Sequence, residues 1–178
     1  MNIAEAQKEM RCHFAGGFYG QFISAVLWAT SAFLALDASP AIAMGALAFG
    51  GFLIFPLTEL ATRIFRAPAL SKANELKGLG LQIAFVLPIS MLLLVPVVRY
   101  NANLFYPALM ILLGAHYIPF VFLYGMRAYA GLAAALAGGG VFLALFFGQY
   151  LSVGAWYTAA VLMLFAILAR QIAKNESE

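Results

Sequence analysis

The stretch Gly78–Val98 reads GLGLQIAFVLPISMLLLVPVV and contains no charged side chain. A helix that crosses the hydrocarbon core of a bilayer needs about 20 mostly apolar residues, and this stretch has that length. It therefore predicts a transmembrane helix. Further apolar runs are spaced along the rest of the chain. The sequence predicts six spanning helices in all, over residues 17–36, 41–64, 78–98, 104–126, 128–147 and 155–169.

The composition is that of a membrane protein. Of the 178 residues, 65% are hydrophobic and 10% are charged, and the mean hydropathy is +0.94. A soluble domain has about 45–50% apolar and about 25% charged residues, so a soluble globular domain and a disordered tail are excluded. A single cysteine, Cys12, excludes an internal disulfide framework. The predicted fold class is all-α, a polytopic bundle of six transmembrane helices that forms one domain over residues 1–178.

The basic residues set the predicted orientation. With six spans, nine of the ten Lys and Arg residues fall on the side that holds both termini, and Arg99 falls on the other. Cytoplasmic loops are enriched in Lys and Arg, so both termini are predicted in the cytoplasm. Residues 66–77 then form a cytoplasmic loop and residues 170–178 a cytoplasmic tail. The bias accounts for the net charge of +3 without nucleic acid, so membrane lipid is the expected partner.

The first 14 residues have two interpretations. Ile3, Met10 and Phe14 recur at helical spacing, which predicts a short amphipathic helix on the membrane surface. A frayed polar terminus is the alternative. The apolar run that follows has about 20 residues, whereas the apolar core of a signal peptide has about 7–15. It is therefore predicted to be a retained helix.

Polar side chains within the spans are functional candidates because a bilayer makes them costly. Glu59 and Arg63 are four residues apart on one helix face, where they can pair and hold span two to a neighbour. His116 falls near the middle of span four. Its imidazole can relay a proton or contact a substrate, or it can hydrogen-bond across helices and serve packing alone.

Further polar side chains fall in the predicted cytoplasmic half of the spans. If they converge, they form a polar pocket that is open to the cytoplasm. The candidate binding residues are Glu59, Arg63, Gln82, His116, Tyr124 and Arg127, with Tyr19 and Gln21 entering span one from the same side.

Known enzyme signatures are missing from the sequence. It contains no His-Glu-x-x-His, Walker or Gly-x-Ser-x-Gly motif. The histidines, His13 and His116, lie far apart without other ligands at suitable spacing, so no metal and no cofactor is predicted. No catalytic residue is assigned, although Glu59 and His116 have the chemistry of an acid–base pair.

Prolines and glycines shape the predicted bundle. Proline removes a helix hydrogen bond, so four prolines are expected to interrupt or end spans: Pro56, Pro88, Pro96 and Pro119. Glycines permit close helix approach. The small-residue face of span five, with Gly131 and residues 138–140, is the expected packing seam, together with residues 50–51 of span two. This face would pack against another helix of the bundle, against a second copy of the chain, or against a partner membrane protein.

Three stretches together resemble a known family. They are Glu5–Gly17 (EAQKEMRCHFAGG), Gly50–Arg66 (GGFLIFPLTELATRIFR) and Phe105–Met126 (FYPALMILLGAHYIPFVFLYGM). They are similar to a family of short bacterial multi-span membrane proteins classed as a domain of unknown function, and the similarity covers the entire chain. The resemblance implies a bacterial cytoplasmic membrane protein with a compact helical bundle. It implies no activity, ligand or catalytic residue.

Three functions are compatible with the sequence. The first is a small permease or channel-like protein whose polar pocket handles a small solute or protons. The second is a non-catalytic accessory or assembly subunit of a membrane complex. The third is a membrane-embedded enzyme that acts on a lipid or quinone-like substrate.

Overall fold

The computed structural model describes residues 1–175, and every regular element in that range is helical. This confirms the all-α class. The α-helices are α1 (Ile3–Phe14), α2 (Phe18–Asp37), α3 (Pro40–Gly51), α4 (Ile54–Ile64), α5 (Leu76–Ser90), α6 (Leu94–Tyr100), α7 (Phe105–Tyr124), α8 (Ala128–Phe146) and α9 (Val153–Asn175).

The described residues contain five helical segments long and apolar enough to cross a membrane, or six if the bent pair of α3 and α4 is one span. These segments coincide with the predicted runs, so a multi-pass membrane protein is confirmed. The last helix extends further than predicted. It continues to Asn175, which makes most of the predicted tail helical, while residues 176–178 of that tail lie outside the described range.

The second predicted span is broken, and the break lies one turn before Pro56. The axes of α3 and α4 differ by 54°. At the break, the amides of Phe52 and Leu53 bond to carbonyls three residues back, which is the tighter 3₁₀ pattern. Pro56 has no N–H for the Phe52 carbonyl, and its ring crowds that carbonyl. The kink expected at Pro56 therefore appears at the position four residues before it.

Only one of the other three prolines acts in the same way. The span of α5 and α6 tightens into a 3₁₀ turn at Met91–Leu93, and Leu92 is the residue four positions before Pro96. In contrast, Pro88 lies inside α5 and Pro119 inside α7. The expectation that these two prolines interrupt or end their spans is wrong, because both helices continue through them.

The glycine seam predicted in span five is divided between two environments. A Cβ on Gly140 would lie 2.6 Å from the Pro107 carbonyl oxygen, so α7 and α8 approach backbone to backbone there. A Cβ on Gly139 would meet the ring of Tyr157 at 2.7 Å. Gly131 and Gly138, by contrast, would find no atom within 4 Å. The seam therefore packs within the bundle on one side and is open on the other.

Two glycines separate α1 from α2. Gly16 and Gly17 have φ angles of +67° and +90°, a region that glycine adopts without steric cost. A Cβ on Gly16 would lie 2.5 Å from the Ala169 carbonyl oxygen, and one on Gly17 would lie 2.1 Å from the Tyr129 hydroxyl. The break redirects the chain, so α1 contacts α2, α4, α5, α7 and α9 and lies across one end of the bundle.

The first residues form a capped helix rather than a frayed terminus. The Asn2 side chain accepts a hydrogen bond from the Glu5 amide at 2.9 Å, and the Asn2 amide donates to the Glu5 carboxylate at 3.0 Å. This reciprocal pair is a capping box. The buried face of α1 consists of Ala6, Met10 and Phe14, whereas Ile3 is 59% exposed. A position for α1 on the membrane surface stays a prediction.

Candidate functional site

A cavity of about 1110 Å³ lies between two walls of the bundle. Helices α2 and α4 form one wall, and α5 and α7 form the other. Residues of α1 and of the loop before α5 close one end. Small-molecule sites have volumes of roughly 300–1,000 Å³, so this cavity is large enough for one sizeable ligand.

The lining of the cavity changes from polar to apolar along its length. The end at α1 holds the polar side chains His13, Gln21, Thr58, Glu59, Asn74 and Tyr124, together with the exposed Glu75 and Lys77. The far end is lined by Ala48, Gly51, Phe52, Leu87, Pro88 and Met91. The lining from Lys77 on α5 to Met91, the residue after α5, corresponds to about 21 Å at 1.5 Å per residue.

The cavity opens to the side between α4 and α5. Helix α4 packs on α1 and α2, and α5 packs on α1 and α7. Among the described residues, α4 and α5 do not form a packed pair with each other. Both borders of this opening are apolar and exposed: Phe55 on α4 is 42% exposed and Leu81 on α5 is 47% exposed.

One face of α7 supplies an aromatic wall. Tyr117, Phe120 and Tyr124 line the cavity, and their spacing puts them on the same side of the helix. Neighbouring ring centroids are 5.4 Å apart between Tyr117 and Phe120, and 5.7 Å apart between Phe120 and Tyr124. These separations are typical of favourable aromatic pairs.

A short hydrogen-bond chain fixes the amide of Gln21. The Tyr129 hydroxyl donates to the Gly16 carbonyl at 2.7 Å, and this uses its single proton. It can therefore only accept the bond from Gln21 Nε2, which is 3.0 Å long. This orientation leaves Gln21 Oε1 as an acceptor. That atom is buried and has no partner within the described residues, although the side chain lines the cavity.

His116 is the second lining residue with an unsatisfied polar atom. Its Nδ1 is buried without a hydrogen-bond partner among the described residues. The ring packs against Tyr117 and Phe120, with centroid distances of 5.6 Å and 5.3 Å. Buried polar atoms without partners are rare and costly in native proteins. Two of them on the lining of one cavity mark it as the candidate site.

The structure separates the six candidate residues into two groups. Glu59, His116 and Tyr124 line the cavity. Arg63, Gln82 and Arg127 are exposed and do not line it. The ion pair expected between Glu59 and Arg63 does not form among the described residues, because Glu59 turns to the cavity and Arg63 to the outside.

The closure at α1 depends on polar contacts with distant segments. The Gln7 side chain donates to the Phe122 carbonyl at 2.6 Å, and the Arg11 side chain donates to the Tyr124 carbonyl. These carbonyls belong to the last turn of α7, where the helix supplies few donors; the Phe122 carbonyl also accepts a bond from the Gly125 amide at 3.3 Å. On the loop side, the Asn74 amide donates to the Glu9 carboxylate at 2.9 Å, and His13 Nδ1 donates to the Pro68 carbonyl at 2.6 Å.

Sequence reasoning missed Tyr129 and Asn74. Tyr129 is fully buried and Asn74 is 4% exposed, and each joins distant segments. A tyrosine in an apolar run carries no signal of that role. The Gly16–Gly17 pair could have been noticed, because paired glycines between an amphipathic segment and an apolar one indicate a backbone break. Among the described residues, no group of three or more His, Cys, Asp or Glu side chains could hold a metal ion.

Helices long and apolar enough to span a bilayer, arranged around a cavity, define a multi-pass membrane protein with an internal cavity. A family model matches residues 3–171. The chain therefore belongs to this family, a family of unknown function (DUF7010), which confirms the resemblance seen in the sequence. No curated protein and no solved structure matches the chain.

Proposed function

We propose that this protein binds one amphiphilic molecule from the membrane and carries it within the bundle. The observation that supports this best is the change in lining along the cavity. A head group fits the polar end at α1, and a hydrocarbon tail fits the apolar end near Met91. The opening between α4 and α5 lets a tail enter from the bilayer without crossing water.

The proposal modifies the permease interpretation of the sequence. A path for ions or protons is built from polar or charged groups that replace the hydration shell, whereas the far end of this cavity is lined by apolar side chains. An amphiphile needs only a polar end, because its tail gains by remaining in an apolar environment. A membrane-embedded enzyme acting on a lipid or quinone-like substrate would use the same cavity, but transport needs no further catalytic group.

We also propose that the bent pair α3 and α4 is one span, which gives six spans with both termini in the cytoplasm. The bias of nine basic residues to one supports this orientation. The closed end of the cavity, beside α1, is then cytoplasmic. The family resemblance favours a bacterial cytoplasmic membrane as the location.

The experiment is native mass spectrometry of the protein in nanodiscs made from bacterial polar lipids. Gly51→Phe places a ring in the cavity, since Gly51 lines it and a Cβ there meets no atom within 4 Å. Gly45→Phe is the matched control in the same helix, because it is equally open but does not line the cavity. We expect a discrete bound molecule with the wild type and Gly45→Phe that is lost with Gly51→Phe. Identical spectra for all three would refute the proposal.

The accessory-subunit interpretation has one supporting observation. Gly131 and Gly138 of α8 are exposed and meet no atom within 4 Å, so another helix could approach there. Gly138→Leu tests this interpretation by co-purification. If another helix packs there, the variant should lose a partner protein that co-purifies with the wild type. Gly139 is unsuitable, because a side chain there would collide with Tyr157 inside the bundle.

A further inference from the structure

We infer that the amphiphile is a lipophilic cation whose positive charge is held between Glu59 and the aromatic wall of α7. This inference rests on the proposed function and specifies the chemistry of its ligand.

The first support is the charge balance around the cavity. Glu59 is a half-buried lining residue, and no Lys, Arg or His side chain pairs with it among the described residues. Lys77, a basic residue of the lining, is exposed to solvent. The other basic side chains of the lining are two histidines: His13 donates to the Pro68 carbonyl, and the His116 ring packs against Tyr117 and Phe120 on α7. A carboxylate in such surroundings is stabilised by a ligand that brings the missing positive charge.

The aromatic wall lies across the cavity from this carboxylate. Glu59 is on α4, and Tyr117, Phe120 and Tyr124 are on α7. All four side chains line the same cavity. Faces of aromatic rings attract cations, and more strongly where water is excluded. A cation between the two helices would meet a carboxylate on one side and aromatic rings on the other.

The fixed amide of Gln21 also disfavours an anion. Its Oε1 is an acceptor without a partner, and the bond from Nε2 to Tyr129 prevents the amide from turning its donor outward. An anionic head would thus face an acceptor and a carboxylate at the polar end. A cationic head, especially one with N–H groups, matches both.

The test compares three probes of similar size that differ in charge: tetraphenylphosphonium, tetraphenylborate and neutral triphenylphosphine oxide. Binding is measured by equilibrium dialysis of the full chain in nanodiscs, with empty nanodiscs subtracted. We expect the cation to bind saturably, and Glu59→Gln to weaken its binding about tenfold without weakening the other two. Asp37→Asn, which removes an exposed acid at the opposite end of α2, should leave all three unchanged.

A second variant tests the inference independently, in case Glu59→Gln alters the fold. Phe120→Leu keeps an apolar side chain but removes a ring from the wall, so it should weaken the cation more than the neutral probe. Equal binding of the cation and the neutral probe, or a cation affinity unaffected by Glu59→Gln, would overturn the inference. In that case, a neutral probe that binds the wild type but not Gly51→Phe would still support the proposed function. Binding of all three probes that is insensitive to Gly51→Phe would refute both.

Discussion

The hydroxyl of Tyr129 donates a 2.7 Å hydrogen bond to the carbonyl of Gly16. This bond joins α8 to the backbone break between α1 and α2. The same hydroxyl accepts a bond from the Gln21 amide. One buried side chain therefore fixes both the position of the helix that closes the cavity and the direction of a polar group on its lining.

Removing that hydroxyl should destabilise the protein. Tyr129→Phe leaves the Gly16 carbonyl and the Gln21 amide without a partner in a buried place, which costs about 1–3 kcal/mol per group. Thermal unfolding in detergent, followed by intrinsic fluorescence, should show a lower Tm. Tyr157→Phe is the control, since its bond to the Ala135 carbonyl is exposed and should matter less. Equal losses in the two variants would contradict the role given to Tyr129.

The glycine break should not tolerate a side chain. Gly17→Ala forces a φ of +90° on alanine and places a methyl group 2.1 Å from the Tyr129 hydroxyl, so we expect loss of folded protein. Gly131→Ala is the matched change in open space within α8, where alanine is favoured over glycine by about 0.5–1 kcal/mol. Size-exclusion chromatography and Tm should separate the two variants. A well-folded Gly17→Ala protein would disprove the steric constraint.

The docking of α1 should depend on Met10. This side chain is 2% exposed, and truncating a buried Met to Ala costs about 2–5 kcal/mol. Hydrogen exchange measured by mass spectrometry should therefore rise in residues 3–14 of Met10→Ala and change little in α8. Ile3→Ala, at a position 59% exposed in the same helix, should leave exchange as in the wild type. Faster exchange in both variants alike would argue against a docked α1.

Adjacent glycines of α8 should respond differently to the same substitution. Gly140→Leu would push the backbones of α7 and α8 apart, because a Cβ there lies 2.6 Å from the Pro107 carbonyl oxygen. We expect aggregation or poor membrane insertion of this variant. Gly138→Leu faces open space and should keep the wild-type Tm. If both variants fold equally well, the close approach of α7 and α8 is not needed for the fold.

The spans were predictable from the sequence because length and hydropathy alone determine them. The 21-residue apolar stretch that became α5 and α6 could be assigned to a membrane without knowing its neighbours. The bend of span two lies at Phe52 and Leu53 rather than at Pro56, since a proline affects the carbonyl of the residue four positions before it. Pro88 and Pro119 show that a proline in a span does not by itself produce a break.

The site was predictable only in part, because hydropathy does not reveal how each helix is rotated. Glu59 and His116 line the cavity, whereas Gln82, at a similar predicted depth, is exposed. Depth in the membrane can be counted along the chain, but the direction of a side chain depends on which helices pack together. The role of Tyr129 could not be found for the same reason, as its partners are 108 and 113 positions away.

The bond between Gln7 and Phe122 joins residues that are 115 positions apart, and this spacing constrains how the protein is made. Helix α1 leaves the ribosome before α7, and its anchors on α7 are synthesised only after α2 to α6. Until α7 is in place, the apolar face of α1 has no complete surface to cover it. Closing the cavity is therefore a late event in biogenesis, and a nascent chain interrupted before α7 would have membrane helices without a finished binding site.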